Sequence, residues 1–211
     1  RRVMVTAGPT FEDLDPVRFI GNRSSGKMGY AVAAEAARRG AAVVLVTGPT
    51  HLDPPAGVEV VRVRSAADMH AAVMARAAGV DAVVMAAAVA DYTPEDVAAQ
   101  KVAKADGGWT VPLKRTTDIL AALGALPSRA DRRPVLIGFA AETHDVLDHA
   151  DAKRRRKGVD LIVANDVAAP GAGFEVDTNV VTFVDDAGRE TLPLLPKAEV
   201  AGRILDRLIA L

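Results

Sequence analysis

The chain has 211 residues, of which 50% are hydrophobic and 25% charged; this composition is typical of a globular protein and excludes disorder over most of its length. The 26 Lys and Arg against 27 Asp and Glu give a net charge of -1, so we expect no nucleic-acid or membrane partner. The lack of cysteine excludes disulfides and thiolate metal sites and favours a cytoplasmic protein. No membrane span or signal peptide is visible, and the missing initial Met suggests an excised fragment.

Short apolar runs alternate with Ala-rich segments of helical period, which predicts an α/β fold: a Rossmann-like, doubly wound, mostly parallel sheet in a single domain over 1–211. The near-continuous hydrophobicity of the runs indicates strands that are buried on both faces. Strands are predicted at 3–7, 42–47, 58–63, 82–87, 135–139 and 161–164. Helices are predicted at 26–39, 66–78, 117–123, 145–157 and 196–210.

Two segments break this alternation. Residues 89–114 are polar, contain glycine and follow the end of a strand, which predicts a flap over a ligand. Residues 178–194 predict an antiparallel hairpin around a turn at 185–188; this hairpin is either a subunit contact or an ordinary sheet edge. At helix ends, Gly40 and Gly79 are expected in left-handed conformation, and Ser65 is expected to cap its helix.

The segment between the first strand and first helix predicts an anion site. Gly8 ends the strand, and a run rich in Ser, Gly and Lys opens the helix, where free amides, hydroxyls and positive charge would meet a phosphate or carboxylate. Met28 stands where a P-loop would have its magnesium-binding Ser or Thr, so a P-loop enzyme is rejected. The alternative is that the serines only cap the helix. The residues of this predicted site are Gly8, Ser24, Ser25, Gly26 and Lys27.

A second set of candidates follows later strands. At the end of the strand that contains Met85, the small residues Ala86 to Ala88 would let a base or ribose approach the backbone. Asp91 could hold a metal bound to phosphates or merely cap a helix. Lys153 and Lys157 share one helical face, where like charges repel unless an anion lies between them. The basic run 153–157 could alternatively bind RNA, but it has no interleaved aromatic residues.

Six segments stand out along the chain: residues 5–10, 15–20, 22–29, 87–92, 138–143 and 164–167. Taken together, they resemble a known family, the phosphopantothenoylcysteine synthetases of coenzyme A biosynthesis. Bacterial members of this family are commonly the C-terminal half of a bifunctional protein with a flavoprotein decarboxylase half, and they form dimers. The resemblance therefore implies a homodimer and a fused decarboxylase domain in the full-length protein.

The resemblance implies CTP-dependent ligation of 4'-phosphopantothenate with L-cysteine, through an acyl-cytidylate, giving phosphopantothenoylcysteine, CMP and pyrophosphate. It implies that Asn22 holds the acyl-cytidylate, that Arg18 lies near the phosphopantothenate and that Lys101 on the flap assists nucleotidyl transfer. It also implies Mg²⁺ with the CTP, with Asp91 as a ligand. The implied CTP contacts are Met85, Ala86, Ala87, Asp91, Lys101, Thr117, Asp118, Ile119, Leu120, Phe139, Lys153 and Lys157.

Two alternatives remain open at this point. A doubly wound sheet also suits an NAD(P)- or flavin-dependent reductase, although the first turn has no Gly-x-Gly-x-x-Gly and no acidic residue ends the second strand. A non-enzymatic nucleotide sensor or RNA-binding module, using the basic run, is the other alternative.

Overall fold

The computed structural model describes residues 1–104, 106–126, 133–142, 146–166 and 176–211. The predicted helix start at Asp145, and residues 143 and 167 of the motif segments, lie outside the described residues. In chain order the strands are β1 (Arg2–Ala7), β2 (Phe11–Asp13), β3 (Phe19–Gly21), β4 (Ala42–Thr47), β5 (Glu59–Arg62), β6 (Ala82–Met85), β7 (Tyr92–Pro94), β8 (Leu113–Arg115), β9 (Val135–Glu142), β10 (Leu161–Asp166), β11 (Thr178–Asn179), β12 (Val181–Asp185), β13 (Gly188–Thr191) and β14 (Leu195–Pro196). The helices are α1 (Lys27–Arg38), α2 (Ala66–Ala77), α3 (Ile119–Gly124), α4 (Val146–Lys157) and α5 (Lys197–Ala210).

The central sheet has eight strands in the order β13-β12-β10-β9-β6-β1-β4-β5. The six strands from β10 to β5 are parallel, while β12 and β13 form an antiparallel hairpin at the opposite edge. The chain runs outward from β1 to β4 and β5, then crosses back to β6 and runs outward in the other direction. This arrangement confirms the predicted doubly wound fold and places the topological switch point between β1 and β6.

Two apolar cores cover the two faces of the sheet. Alternate β1 residues Val3 and Val5 pack against α1 and α5, whereas Met4 packs on the other face with residues of α2, α3 and α4. Because successive side chains of a strand point to opposite faces, both cores draw on the same strands. This double burial explains why the parallel strands read as continuous apolar runs rather than alternating ones.

Several predicted boundaries and caps are confirmed. Ser65 caps α2, and its hydroxyl accepts a hydrogen bond from the amide of Asp68 at 3.1 Å; Gly40 follows α1 with a φ of 85°. The expectation for Gly79 is wrong, because α2 ends through a right-handed Ala78 and the Gly79 amide closes a turn on the Arg76 carbonyl at 3.0 Å.

The predicted hairpin is shorter than residues 178–194. Its strands are β12 and β13, which meet around the predicted turn with Asp185 opposite Gly188. Thr178 and Asn179 pair instead with Leu195 and Pro196, because the chain folds back there to begin α5. The sequence analysis also missed the small β2–β3 hairpin, in which Phe11 and Phe19 stack at 3.9 Å.

The segment predicted as a flap begins and ends in a short antiparallel stem. Strand β7 pairs with β8, and this pairing encloses residues 95–112. Among the described residues, every helix is too short or too polar to cross a lipid bilayer.

Candidate functional site

A cavity of about 940 Å³ opens at the carboxyl edge of the parallel strands, beside the switch point between β1 and β6. Such an edge is where doubly wound folds bind their ligands. The cavity reaches across both faces of the sheet, because α1 and α5 supply one part of its wall and α3 and α4 supply the other. It can therefore accommodate ligand groups on both sides of the sheet.

Glycine allows the chain from β1 to reach the start of α1 closely. Gly8 and Gly26 both have a left-handed backbone, with φ of 75° and 80°, and a Cβ on Gly26 would lie 3.3 Å from the Gly8 nitrogen. The Ser24 hydroxyl accepts a hydrogen bond from the Gly26 amide at 3.3 Å, and the Ser25 hydroxyl accepts one from the Lys27 amide at 3.5 Å. The two serines thus shape the entry into α1, whose N-cap, Gly26, has no side-chain cap.

The chain after β6 is fastened to the segment after β1. The Thr6 hydroxyl accepts a hydrogen bond from the Ala87 amide at 3.1 Å, and the Thr10 hydroxyl accepts one from the Ala90 amide at 2.9 Å. The Asn22 side chain donates to the Val89 carbonyl at 3.0 Å. Strand β6 ends at Met85, two residues before its predicted end. The bonds hold the small residues that follow in the cavity wall.

The wall on the α3 and α4 side combines apolar and charged groups. Lys157 pairs with Asp118 at 2.9 Å, and Lys153 donates to the Phe139 carbonyl at 3.1 Å. Asp118 caps α3 by accepting a hydrogen bond from the Ala121 amide at 3.0 Å. Burial alone would raise the pKa of Asp118, but the Ala121 amide and the Lys157 ammonium outweigh burial and hold that pKa below its usual range.

The wall on the α1 and α5 side carries a second pair of lysines. Lys27 pairs with Asp177 at 2.6 Å, and Lys197 donates to the carbonyl groups of Val176 and Thr178. Burial, together with the nearby positive charge of Lys27, lowers the pKa of the Lys197 ammonium. Basic side chains therefore line this side of the cavity as well.

Among the described residues that line the cavity, six are basic and two are acidic, although the whole chain carries a charge of -1. A local excess of positive charge in a cleft favours polyanionic ligands such as a nucleoside triphosphate. The basic residues are Arg23, Lys27, Arg115, Lys153, Lys157 and Lys197; the acidic ones are Asp91 and Asp118.

The basic run on α4 does not form one positive face. Lys153 and Lys157 line the cavity, whereas Arg154 pairs with Asp186 at 2.7 Å and Arg155 with Asp151 at 3.1 Å. Because the run divides between the cavity and these ion pairs, the geometry favours a ligand in the cavity over RNA bound along the helix.

The carboxylate of Asp91 is a candidate ligand for a metal ion. Its backbone carbonyl accepts a hydrogen bond from the Thr116 amide at 3.0 Å, and the residue lines the cavity. No group of three or more His, Asp or Glu side chains gathers as a metal site within the described parts of the chain. One carboxylate fits Mg²⁺ nonetheless, because that ion commonly keeps its waters and binds through one or two carboxylates and substrate phosphates.

Arg18 and Lys101 lie outside the cavity wall. The Nε and Nη2 groups of Arg18 both donate to Oδ2 of the buried Asp15. Arg18 also donates to the Val102 carbonyl at 2.8 Å and stacks over Trp109 at 4.4 Å. Asp15 in turn accepts a hydrogen bond from the Val102 amide at 3.2 Å. Both backbone groups of Val102 are therefore held, which fixes the position of the exposed Lys101 that precedes it.

Most of the predicted site residues come together in this cavity. Those that line it are Asn22, Ser24, Gly26, Lys27, Met85, Ala86, Ala87, Asp91, Thr117, Asp118, Ile119, Leu120, Phe139, Lys153 and Lys157. Gly8 and Ser25 lie behind the wall, where the end of β1 closely approaches the start of α1. Arg18 and Lys101 belong to the contact that Arg18 and Asp15 make with Val102, which we call the flap contact. The individual roles of all these residues stay predictions.

The predicted site omitted several polar residues of the wall, which are Arg23, Tyr92, Arg115, Thr116, Asn165, Asn179 and Lys197. Asn165 had a detectable signal, because it is a polar residue directly after a buried strand, at the edge where ligands bind. Asn179 and Lys197 had no such sequence signal. A lysine at the start of a helix, for example, is ordinarily exposed. Their place in the wall depends on the pairing of β11 with β14, which brings Asn179 close to the start of α5.

Comparison with known proteins identifies relatives that match this chain over its full length. The family model of the DNA/pantothenate metabolism flavoprotein C-terminal domain matches residues 1–211. The coenzyme A biosynthesis bifunctional protein CoaBC of Bacillus subtilis is 49% identical over 100% of this chain and 52% of its own length. The CoaBC of Escherichia coli K12 is 46% identical over 98% of this chain and 51% of its own length. The chain thus spans about half the length of these curated relatives.

Solved structures show the same fold. The crystal structure of a CoaBC C-terminal domain has a TM-score of 0.82 at 45% identity and covers 99% of this chain and 93% of its own. A mutant of Cab2 in complex with phosphopantothenate-cysteine has a TM-score of 0.77 at 15% identity and covers 100% of this chain and 87% of its own. The second likeness extends to the fold alone.

Proposed function

Because the chain belongs to the DNA/pantothenate metabolism flavoprotein C-terminal domain family, we propose that it ligates 4'-phosphopantothenate to L-cysteine with consumption of CTP. The observation that carries this proposal is the cavity at the switch point, whose six basic residues suit a triphosphate and a phosphorylated acid. The relatives named for coenzyme A biosynthesis support the pathway, and the Cab2 complex with phosphopantothenate-cysteine supports the product.

A carboxylate is a poor acyl electrophile and must first gain a leaving group. In the first step, a carboxylate oxygen of phosphopantothenate bonds to the α-phosphorus of CTP, and the bond to the pyrophosphate oxygen breaks. Lysines of the cavity stabilise the negative charge that builds up on the leaving pyrophosphate. Mg²⁺, with Asp91 as its protein ligand, supplies further charge neutralisation when bound.

In the second step, the cysteine amine attacks the acyl carbon, the bond to CMP breaks and the amine loses a proton. The α3 and α4 wall suits the nucleotide, because the small residues after β6 leave space for a flat ring beside Leu120. Gly138 makes this packing feasible, since a Cβ there would lie 2.5 Å from a Leu120 methyl carbon. Asn22, held by Val89, places a neutral amide near the same segment.

The flap contact supports a role for Lys101 in nucleotidyl transfer. With Val102 held by Arg18 and Asp15, the backbone beside Lys101 is fixed while its side chain remains exposed. A lysine that reaches the triphosphate when the flap covers the cavity would stabilise charge only in the transition state. For the full-length protein we expect a fused flavoprotein decarboxylase half, a homodimer and a cytoplasmic location.

The test is product analysis by mass spectrometry after incubation with CTP, phosphopantothenate, cysteine and Mg²⁺. We expect phosphopantothenoylcysteine and CMP in equal amounts. Lys101→Ala should lower turnover by on the order of 10²- to 10³-fold, while Lys104→Ala, an exposed lysine on the same flap, serves as the matched control and should stay near wild type. Near-normal turnover of the Lys101 variant would refute that residue's role. A thermal shift with NAD(P) or a flavin, but not with CTP, would favour the reductase alternative.

A further inference from the structure

Asn165 lies at the carboxyl end of β10 and faces the α1 and α5 side of the cavity. Val163, two residues earlier, packs in the core beneath α1 and α5, whereas Ala164 packs in the core on the other face. Because side chains alternate along a strand, Asn165 shares the face of Val163. It is also one of the residues that line the cavity.

The amide oxygen of Asn165 needs a hydrogen-bond donor. The residue is only 8% exposed, and its Oδ1 atom is buried with no donor among the described residues. A buried acceptor without a donor is unfavourable, so native proteins nearly always satisfy such atoms. In a cavity wall, an N–H or O–H group of a bound ligand would supply that donor.

The surroundings of Asn165 also suit an anion. Lys27 at the start of α1 and Lys197 at the start of α5 line the same side of the cavity, together with the amide side chain of Asn179. An acceptor on the same side of the cavity as two lysines matches a ligand that carries both an amine and a carboxylate, which is the chemistry of an amino acid. The other charged groups that line the cavity are Arg23, Asp91, Arg115, Asp118, Lys153 and Lys157; Asp177 pairs with Lys27.

We infer that Asn165 binds the amino group of the amino-acid substrate, with the substrate carboxylate directed to Lys27 and Lys197. This inference rests on the proposed function and assigns a place to its second substrate. The positive surroundings lower the pKa of the substrate amine and favour the neutral form that can attack. One N–H donates to Oδ1, and the nitrogen lone pair then forms the bond to the acyl carbon as the bond to CMP breaks. The proton released from the nitrogen passes to solvent water.

An uncharged side chain is required for this task. A carboxylate at position 165 would also accept a hydrogen bond, but its charge would stabilise the ammonium form and raise the pKa of the amine. Asn165→Leu removes the acceptor at similar volume, and Asn165→Asp keeps the acceptor while adding charge. Thr182→Val on β12, opposite Ala164 and outside the cavity wall, is a matched control for the loss of a buried polar group beside β10.

The experiment measures steady-state KM for each substrate and the pH dependence of amide formation. For Asn165→Leu we expect KM for cysteine to rise about tenfold or more, the scale of a lost hydrogen bond to a charged or polar partner, while KM for CTP changes less than about twofold. For Asn165→Asp we expect the alkaline rise of the rate with pH to move to higher pH. The control should show neither change.

An unchanged KM for cysteine in Asn165→Leu would overturn the inference. A rise in KM for CTP or phosphopantothenate equal to that for cysteine would also overturn it, because Asn165 would then serve those substrates. Calorimetric titration of reduced L-cysteine, and of cysteamine as the analogue without a carboxylate, gives a readout that needs no turnover. The inference would be refuted if wild type and Asn165→Leu bound L-cysteine equally, or if neither bound it. If wild type bound cysteine in a way that depended on Asn165 but did not turn over CTP, only the proposed reaction would be refuted.

Discussion

Gly29 allows α1 to pack closely on the end of β1, and replacing it should destabilise the fold. A Cβ at Gly29 would lie 2.6 Å from the Ala7 Cβ and 2.7 Å from the Thr6 carbonyl oxygen. Both atoms belong to a buried strand and cannot rotate away. Overpacking a core typically costs about 1–3 kcal/mol, whereas alanine gains up to about 1 kcal/mol of helix propensity over glycine. Because the contacts are so short, we expect Gly29→Ala to lose about 1–2 kcal/mol of unfolding free energy.

Urea denaturation and thermal melting measure this loss directly. In a chain of this size, a loss of 1–2 kcal/mol should lower Tm by about 3–6 °C. Gly202→Ala in α5 is the matched control, since a Cβ there meets only the flexible end of Arg39 at 3.5 Å; it should gain roughly 0.5–1 kcal/mol. A Gly29→Ala protein as stable as wild type would refute the argument that this glycine is required for packing.

Two further predictions concern charged residues. Hydrogen bonds from Arg38 and Arg39 lower the pKa of Glu35 from 4.5 to about 2, so its stabilising effect is complete above pH 4.5 and is lost as the pH falls towards 2. In urea titrations, Glu35→Gln should lose roughly 1 kcal/mol at pH 7 after allowance for solvent screening and match wild type near pH 2; a pH-independent difference would contradict this. Asp15→Asn should weaken the hydrogen bonds that hold Val102, and we expect faster proteolysis within residues 95–112. Pyrophosphate release should slow about tenfold or more. Unchanged proteolysis would contradict the role of Asp15.

The parallel sheet was predictable because its strands are buried on both faces. A run such as β4, with five of six residues buried, leaves an unmistakable apolar signal, and the intervening helices bury one face at helical spacing. The small β2–β3 hairpin was not predictable, because its three-residue strands carry no such run. The conformation of Gly79 was also not predictable from its position. A glycine after a helix suits a left-handed cap, but here the chain forms a turn in which the Gly79 amide bonds to the Arg76 carbonyl.

The candidate site was predictable where residues follow strand ends directly. The segments after β6 and at the start of α1 lie at the switch point by topology alone, so their sequence positions were enough. Arg18 was different, because its partners Asp15, Val102 and Trp109 include residues more than 80 positions away. The position of Lys197 was likewise not predictable from the sequence, because its burial depends on a chain reversal that no local pattern indicates.

Pyrophosphate release from CTP is the most direct test of the proposed activated-acid mechanism. With Mg²⁺ and 4'-phosphopantothenate but no cysteine, the protein should release up to about one pyrophosphate per site and then stop, because the acyl-cytidylate stays bound. Adding cysteine should restart release and give CMP and the amide in equal amounts. Release that needs cysteine from the start, or that proceeds without phosphopantothenate, would contradict the two-step account.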